Sequence, residues 1–348
     1  MSTTVPILDF SQYRPEDPEN RASTDAFLKQ LYDTMHNIGF FYVKNHGIPL
    51  AKQEAAFKVI QSFFALPVEE KLKIEMKNSP HFRGYSRLGA ETTNYKQDHR
   101  EQIDLGREMP AEPIEGNPFY IHMRGPNQWP DEPAGFQETV LDLMQAMTDV
   151  SLVLLRAMAS CVPELDEDSF MKMFDKDKYS LRMKLARYPP TDAKDNLGVG
   201  PHKDYGFLAL LLQDPVGGLQ VQTLEGEWID VKPIPDTFVV NIGEIFERLT
   251  RRTFVATTHR VLSNPTKERY SIPLFLGPSL ETRIPQLVAS GPDRVVKSDV
   301  KEEQLLQNEI YGLNEIMGFI RSHKEPTRRW YTFDESSQQW SRRPVAIQ

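Results

Sequence analysis

The spacing of apolar residues divides the chain into a helical first part and a β-rich second part. Between residues 23 and 38, apolar side chains recur every three or four positions, which predicts an amphipathic helix. Residues 134–161 carry the longest pattern of this kind and predict a helix that packs on a sheet. From residue 180 the period falls to two, which is the spacing of a strand with one buried face.

Turn signals rich in Pro, Gly, Asn and Asp separate the short apolar runs of the second part. The predicted strands are 181–188, 199–203, 207–213, 218–222, 227–231, 237–241, 257–262 and 269–276. So many short strands within about a hundred residues favour a double-sheet jelly roll. Further helices are predicted at 50–64, 67–75 and 301–321.

Residues 78–130 lack long periodicity and are rich in Gly, Pro, Asn and aromatic residues. Loops of this length in a compact protein are usually functional or disordered, and this composition favours ordered loops beside a pocket. We therefore predict two regions that form one integrated catalytic unit. Residues 1–130 form an N-terminal region of helices and strands with substrate-facing loops, and residues 131–348 form the β core with its supporting helices.

Composition narrows the class of protein. The chain has 348 residues, 39% of them hydrophobic and 26% charged, as in ordinary globular proteins. The net charge of −8, without a basic cluster, argues against a nucleic-acid partner. No apolar run approaches the ~18 residues of a membrane span. The single cysteine, Cys161, excludes an internal disulfide and favours the cytoplasm, whereas nothing in the composition indicates the oligomeric state.

A histidine and an aspartate stand two positions apart in a β-type segment, as His202 and Asp204. Residues i and i+2 of a strand point to the same face, so both side chains could bind one metal ion. His259, in a later predicted strand, is the best third ligand. Two imidazoles and one carboxylate on one face of an octahedron are the ligand set of non-haem Fe(II) oxygenases.

A second pair, Arg269 and Ser271, also shares one strand face. Arginine offers a planar fork for a carboxylate, and serine adds a hydroxyl donor. A salt bridge at a strand end is the simpler explanation for Arg269. Because the strand continues into an apolar run, we expect the pair to point into the core, where a dicarboxylate would supply the anion. Tyr188 could donate to the same carboxylate.

Along almost its whole length, the chain resembles the Fe(II)/2-oxoglutarate-dependent dioxygenases of the isopenicillin N synthase-like group. The segments that carry the resemblance are Val5-Pro6-Ile7-Leu8-Asp9, Gly39-Phe40-Phe41, Asn45-His46-Gly47, Tyr188-Pro189, His202-Lys203-Asp204, Asn241-Ile242-Gly243, His259-Arg260-Val261 and Arg269-Tyr270-Ser271. The resemblance implies a mainly β fold with flanking helices: a double-stranded β-helix (jelly-roll) core, an N-terminal helical region and a C-terminal helix.

The resemblance also implies the chemistry. Fe(II) would be held by His202, Asp204 and His259, and 2-oxoglutarate would bind the iron with its far carboxylate on Arg269 and Ser271. Oxidation by O2 would convert 2-oxoglutarate to succinate and CO2 and hydroxylate a small-molecule substrate. Where many members have an asparagine near the Tyr-Pro pair, this chain has Lys184, which would approach 2-oxoglutarate by a different contact.

A narrower resemblance links the chain to the ethylene-forming enzyme subgroup and to plant homoarginine hydroxylases. It rests on Glu91 and Thr93, on Tyr205 directly after the metal motif, and on Arg321. Carried over, Glu91 and Thr93 would face a guanidinium, and Tyr205 with Arg321 would face a carboxylate. This implies a guanidino amino acid, such as L-arginine or homoarginine, as the substrate, with fragmentation of 2-oxoglutarate to ethylene as a side reaction.

Two other functions are compatible with parts of this pattern. A 2-oxoglutarate oxygenase of an apolar secondary metabolite would need neither Glu91 nor Arg321. A catalytically silent jelly-roll binding protein would need no intact metal triad. The solvated-surface explanation of Glu91 and Arg321, on a loop and on a helix, stays open at this point.

Overall fold

The structure is a computed structural model that describes residues 4–93, 96–175, 178–193, 196–284, 308–337 and 339–343. Its α-helices are α1 (Arg21–Asn37), α2 (Leu50–Phe64), α3 (Val68–Leu72), α4 (Phe136–Ser160), α5 (Glu167–Lys172), α6 (Glu244–Leu249), α7 (Tyr311–Ser322) and α8 (Lys324–Trp330). Its strands are β1 (Ile7–Asp9), β2 (Phe40–Lys44), β3 (Gly84–Ser86), β4 (Thr92–Thr93), β5 (Lys96–Gln97), β6 (Glu101–Gly106), β7 (Tyr179–Tyr188), β8 (Leu197–His202), β9 (Leu208–Gln213), β10 (Leu219–Gln222), β11 (Trp228–Asp230), β12 (Thr237–Ile242), β13 (His259–Leu262), β14 (Arg269–Ser279), β15 (Tyr331–Asp334) and β16 (Gln339–Arg342).

Two sheets enclose one apolar core. The larger sheet has the strand order β1-β2-β12-β9-β14-β7-β6-β3, and the smaller has the order β11-β10-β13-β8. Apolar side chains from both sheets form a single buried cluster that includes Phe40, Tyr188, Val221 and Val261. The strands from β7 to β14 are thus shared between two packed sheets, which confirms the predicted jelly-roll core.

The predicted helices cover the other face of the larger sheet. Phe27 of α1, Phe63 of α2 and Leu154 of α4 share a buried cluster with Leu210 and Val240 of the sheet. The stripes predicted at 23–38, 50–64 and 134–161 match α1, α2 and α4 within two residues. In the C-terminal prediction, 301–307 lie outside the described residues, and α7 begins at Tyr311. Among the described residues, no helix combines the length and apolar character needed to cross a bilayer.

The prediction of loops throughout residues 78–130 was wrong for β6. This strand lies between β3 and β7 in the larger sheet, and all its residues are buried. Because Glu101 and Asp104 are buried with ion-pair partners, Arg187 and Lys184 respectively, the strand lacks the alternation of polar and apolar residues that marks a half-exposed strand. Because its charged residues are paired across the sheet, this internal strand has no sequence pattern by which it could be recognised.

Gly39 joins α1 to β2 at a point where no side chain fits. Its φ is +64°, and a Cβ atom built there would lie 1.9 Å from the carbonyl oxygen of Val255. Gly39→Ala is therefore expected to lower the free energy of unfolding by more than about 2 kcal/mol, because left-handed strain adds to a backbone clash. Chemical denaturation measures this loss.

Gly47 provides the matched control for that substitution. Its φ is +81°, but a Cβ atom there would meet nothing within 4 Å. Gly47→Ala should lower the free energy of unfolding by only about 1 kcal/mol, the cost of the left-handed conformation alone. Equal losses in the two variants would contradict the packing argument at Gly39.

Candidate active site

Two histidines and an aspartate converge where β8 and β13 pair. His202 is the last residue of β8 and stands opposite His259, the first residue of β13. Asp204 follows β8, and its carboxylate oxygens lie 3.8 Å from Nε2 of His202 and 3.7 Å from Nε2 of His259. The structure thus brings the predicted triad together, with all three ligand atoms within 4.8 Å of one another.

Backbone carbonyls orient both imidazole rings. Nδ1 of His202 lies 2.8 Å from the carbonyl oxygen of Gly200, and Nδ1 of His259 lies 3.0 Å from that of Thr257. A carbonyl only accepts hydrogen bonds, so each Nδ1 carries the proton and each Nε2 keeps its lone pair. Such orientation by the second ring nitrogen is typical of metal-binding histidines.

The charge states of His202 and Asp204 also suit a divalent cation. Burial and the neighbouring His259 ring lower the pKa of His202 to about 3, so this imidazole is neutral at physiological pH. Burial alone would raise the pKa of Asp204, but His259, His202 and the Asn241 amide outweigh it and lower that pKa. Neutral imidazole nitrogens and an ionised carboxylate are the forms that bind metal, and this mixed donor set fits Fe(II).

An inner cavity begins at the triad and extends between the sheets. It is lined by Arg269, Ser271, Tyr188 and Arg100 together with the triad residues. Arg269 is 1% exposed, and within the described part of the chain its Nε and Nη1 have no hydrogen-bond partner. A buried guanidinium with two unused donors is costly unless a ligand supplies an anion. The cavity is therefore suited to a carboxylate, as 2-oxoglutarate carries at each end.

Tyr188 forms the floor beneath that guanidinium. Cζ of Arg269 lies 4.8 Å from the centroid of the tyrosine ring, and Tyr188 shares the cavity lining with Ser271 and Arg100. Burial alone would raise the pKa of Tyr188, but Arg100, Arg269 and Ser271 together lower it. The phenol thus belongs to the same polar group as the predicted clamp of Arg269 and Ser271.

An outer cavity opens on the other side of the triad, with His202 and Asp204 in its wall. The four residues predicted to contact the substrate all line it: Glu91, Thr93, Tyr205 and Arg321. Glu91 is buried, not solvated, and accepts hydrogen bonds from Nζ of Lys184 at 2.7 and 3.0 Å and from Nη2 of Arg100 at 2.7 Å. Burial opposes ionisation of Glu91, but Arg100 and Lys184 hold its pKa well below the usual value.

Lys184, predicted to approach 2-oxoglutarate, is held by carboxylates of the protein. It lines the outer cavity and is absent from the lining of the inner one. Its ammonium is held by Glu91 and, at 3.4 Å, by Asp104. These two carboxylates fix the ammonium in the outer cavity, whose lining includes His202 and Asp204, and the contact of Lys184 with 2-oxoglutarate stays a prediction.

Two of the hydroxyl groups predicted to contact the substrate already donate to acceptors within the protein. The Thr93 hydroxyl donates to Asp98 at 2.9 Å, and the Tyr205 hydroxyl donates to the carbonyl oxygen of Tyr311 at 2.9 Å. The Tyr205 ring also stacks on the Tyr311 ring, with centroids 5.6 Å apart. In this state these side chains shape the wall, and their hydroxyl oxygens can accept but not donate.

Sequence analysis missed two arginines in these walls. Arg182 of β7 lines the outer cavity between the rings of Phe275 and Phe319, and its Nε lies 3.2 Å from Glu315. Arg100 lines both cavities. No local motif marks either arginine, because each reaches the site through partners distant in sequence.

The fold and the site define a jelly-roll protein with a mononuclear metal centre and a carboxylate pocket beside it. Two family models match the chain: the N-terminal region of the non-haem dioxygenases in morphine synthesis, over residues 5–132, and the 2OG-Fe(II) oxygenase superfamily, over residues 179–278. The chain belongs to the 2OG-Fe(II) oxygenase superfamily.

Named relatives agree with this class. The 2-oxoglutarate-dependent dioxygenase frbJ of Dothideomycetidae sp. is 38% identical, over 95% of this chain and 93% of the relative. Homoarginine-6-hydroxylase 2-ODD-C23 of Glycine max is 34% identical, over 82% of this chain and 88% of the relative. The crystal structure of a full-length Neurospora crassa protein in complex with alpha-KG and thymine has a TM-score of 0.72 at 27% identity, covering 91% of this chain and 97% of that one.

The chain is therefore a 2-oxoglutarate-dependent dioxygenase that uses Fe(II), 2-oxoglutarate and O2. The prediction of the enzyme class is confirmed, and the alternative of a catalytically silent binding protein is set aside. The donor set of the triad and the unpartnered donors of Arg269 fit the two cofactors independently of the comparisons.

Proposed function

We propose that the enzyme hydroxylates a small molecule with a cationic and an anionic end, and that guanidino amino acids such as L-arginine and homoarginine are its substrate class. One observation carries the proposal. Glu91, Thr93, Tyr205 and Arg321, which are far apart in sequence, line a single cavity that includes two metal-site residues. A substrate in this cavity lies beside the metal.

The charges around Glu91 support a cationic group in the substrate. Three buried carboxyl groups, Glu91, Asp98 and Asp104, outnumber their charged ion-pair partners Lys184 and Arg100. The remaining partner is His323, 3.7 Å from Glu91, and burial lowers the pKa of its imidazole. A guanidinium or ammonium of the substrate would balance this cluster in a buried setting, where unpaired charge is costly. Since Lys184 and Arg100 already occupy Glu91, the substrate cation would share this carboxylate with them.

Arginine side chains in the same cavity support an anionic group at the other end. Arg321 and Arg182 both line the wall, and guanidinium groups suit a carboxylate. Several relatives named homoarginine-6-hydroxylase, at 31 to 34% identity, agree with such a substrate. An apolar metabolite would leave these charges in the cavity wall without a function, so this alternative has less support.

Each part of the site has a defined task in this proposal. His202, Asp204 and His259 would hold Fe(II), while Arg269, Ser271 and Tyr188 would bind 2-oxoglutarate. Together the bound metal and 2-oxoglutarate supply the O2-dependent oxidation that hydroxylates the substrate. Pro273 and Phe275 line both cavities and would help to exclude water near the metal.

A substrate screen that follows succinate release tests the proposal. L-arginine and L-homoarginine should stimulate 2-oxoglutarate turnover. L-citrulline, whose neutral ureido group replaces the guanidinium, and agmatine, which lacks the carboxylate, should not. Ethylene in the headspace of the same vials tests the side reaction. Stimulation by terpenoids or aromatic compounds, with none by guanidino acids, would favour the apolar-metabolite alternative instead.

Glu91→Gln should selectively weaken the binding of a guanidino substrate. We expect its KM to rise about tenfold or more, because a charge-assisted hydrogen bond of ~1.5–3 kcal/mol is lost. The Kd of 2-oxoglutarate should stay within about twofold of wild type, since Asp98 still holds Arg100. Steady-state kinetics and an anaerobic 2-oxoglutarate titration measure the two effects.

Glu281→Gln is the matched control. Glu281 also accepts two hydrogen bonds from an arginine, Arg124, but lies outside the lining of both cavities. This substitution should leave the KM of the guanidino substrate and the Kd of 2-oxoglutarate unchanged. If Glu91→Gln weakens the binding of 2-oxoglutarate and of the substrate equally, the proposed contact between Glu91 and the substrate is wrong.

A further inference from the structure

Arg100 occupies the boundary between the two cavities. Apart from the metal-site residues, it is the one charged residue among the described residues that lines both of them. Its side chain is 10% exposed, and it follows the short hairpin of β4 and β5, close to the start of β6. The guanidinium therefore stands in the wall that a substrate and 2-oxoglutarate share.

On the substrate side, carboxylates hold one end of this guanidinium. Nη2 lies 2.7 Å from Glu91 and 3.0 Å from Asp98. Together these carboxylates outweigh the effect of burial and keep Arg100 firmly protonated, because they raise its pKa. The positive charge of Arg100 is thus permanent, and its position is fixed from the outer cavity.

On the 2-oxoglutarate side, the same guanidinium lines the inner cavity together with the Tyr188 phenol, and its positive charge helps to lower the pKa of that phenol. Tyr188 in turn lies beneath Arg269, and Ser271 belongs to the same cavity lining. In addition, Nε of Arg100 is buried and has no acceptor in the part of the chain that the structure describes. Buried donors are rarely left without an acceptor, so this one is suited to a ligand oxygen.

We propose that Arg100 is a positioning residue for 2-oxoglutarate. It holds the Tyr188 phenol in place beside Ser271 and Arg269, and it is anchored for this task by Glu91 and Asp98. Because one planar group spans both cavities, the geometry of the 2-oxoglutarate pocket depends on contacts in the substrate cavity. The proposal relies on the use of Fe(II) and 2-oxoglutarate and is independent of the substrate's identity.

A buried ion pair with a purely structural role is the competing explanation, and Arg187 allows a direct comparison. Arg187 is the neighbour of Tyr188 and also pairs with two carboxylates, those of Glu101 and Glu268, but it lines neither cavity. A structural role predicts similar consequences for Arg100→Gln and Arg187→Gln. A positioning role predicts that only the first changes the binding of 2-oxoglutarate.

The experiment titrates the Fe(II)-loaded full chain with 2-oxoglutarate without O2 and follows the charge-transfer absorbance, with thermal unfolding measured in parallel. Arg100→Gln should raise the Kd of 2-oxoglutarate about tenfold. Arg100→Lys should give an intermediate Kd, because it keeps the charge but cannot reach both sides with one ammonium. Arg187→Gln should lower the unfolding temperature and leave the Kd within about twofold.

An unchanged Kd in Arg100→Gln, or equal increases in Arg100→Gln and Arg187→Gln, would overturn the proposal. If Arg100→Gln does not fold, the Lys variant carries the same test. A double-mutant cycle with Tyr188→Phe adds a second criterion, since residues that act as a unit are not additive. The double variant should match the weaker-binding single variant, and a Kd equal to the product of both effects would show that Arg100 does not act through Tyr188.

Discussion

Replacing His202 by alanine should lower 2-oxoglutarate turnover by more than about a hundredfold while the fold stays intact. One of three metal ligands is lost, and substitutions of groups that merely support metal ligands already cost ten- to a hundredfold. His202 is 27% exposed in its side chain and lies at a strand end, so little packing is lost with it. Turnover, bound iron per chain and the unfolding temperature measure the three parts of this expectation.

His36→Ala provides the comparison. This imidazole belongs to α1 and stacks on Tyr32, away from both cavities. Its removal should leave iron content and turnover near the wild-type values. If His202→Ala kept full activity with a full complement of iron, His202 would not be a metal ligand.

Arg269→Gln should raise the Kd of 2-oxoglutarate by more than about a hundredfold. The substitution removes a buried positive charge and both unpartnered donors from a pocket in which the other cations are Arg100 and the metal site. Loss of a bidentate, desolvated contact to a carboxylate costs several kcal/mol, and each 1.4 kcal/mol corresponds to a factor of ten. Anaerobic titration with Fe(II) present measures the change.

Arg124→Gln controls for the loss of a buried arginine as such. Arg124 is 9% exposed and already has a bidentate partner in Glu281, outside both cavities. This variant should unfold at a lower temperature but bind 2-oxoglutarate as the wild type does. Wild-type affinity in Arg269→Gln would remove Arg269 from the 2-oxoglutarate site.

The architecture was predictable where the buried residues of an element are mainly apolar. Strands such as β9 and β12, and the stripe of α1, follow their periodicity within one or two residues. β6 was not predictable, because its polar residues are buried against cations from α3 and β7. Such partners become visible only when the sheet is assembled.

The site was predictable to the extent that local spacing encodes it. His202 and Asp204 are neighbours in sequence, and Arg269 and Ser271 share one strand face, so each pair could be recognised locally. Lys184 illustrates the limit: its residue type and strand position were right for an anion, but Glu91 and Asp104 take its ammonium. Arg100 was missed because its role depends on two cavities that meet only in the fold.

The location of the protein in the cell stays a prediction. It depends on the single cysteine, Cys161, which is buried in the structure. Burial raises the pKa of its thiol to about 12, so the thiolate that would react or form disulfides is not populated at neutral pH. A buried thiol of this kind is inert and identifies no compartment.

The order of the larger sheet has a consequence for how the chain can be divided. Residues before 131 supply β1 and β2 on one side of the jelly-roll strands and β6 and β3 on the other. A fragment that began at residue 131 would leave β12 and β7 as open edges, with unpaired backbone groups that recruit strands from other molecules. We therefore propose that residues 1–130 and 131–348 are one folding unit. In it, the N-terminal region covers the edges of the jelly-roll strands and so prevents self-association.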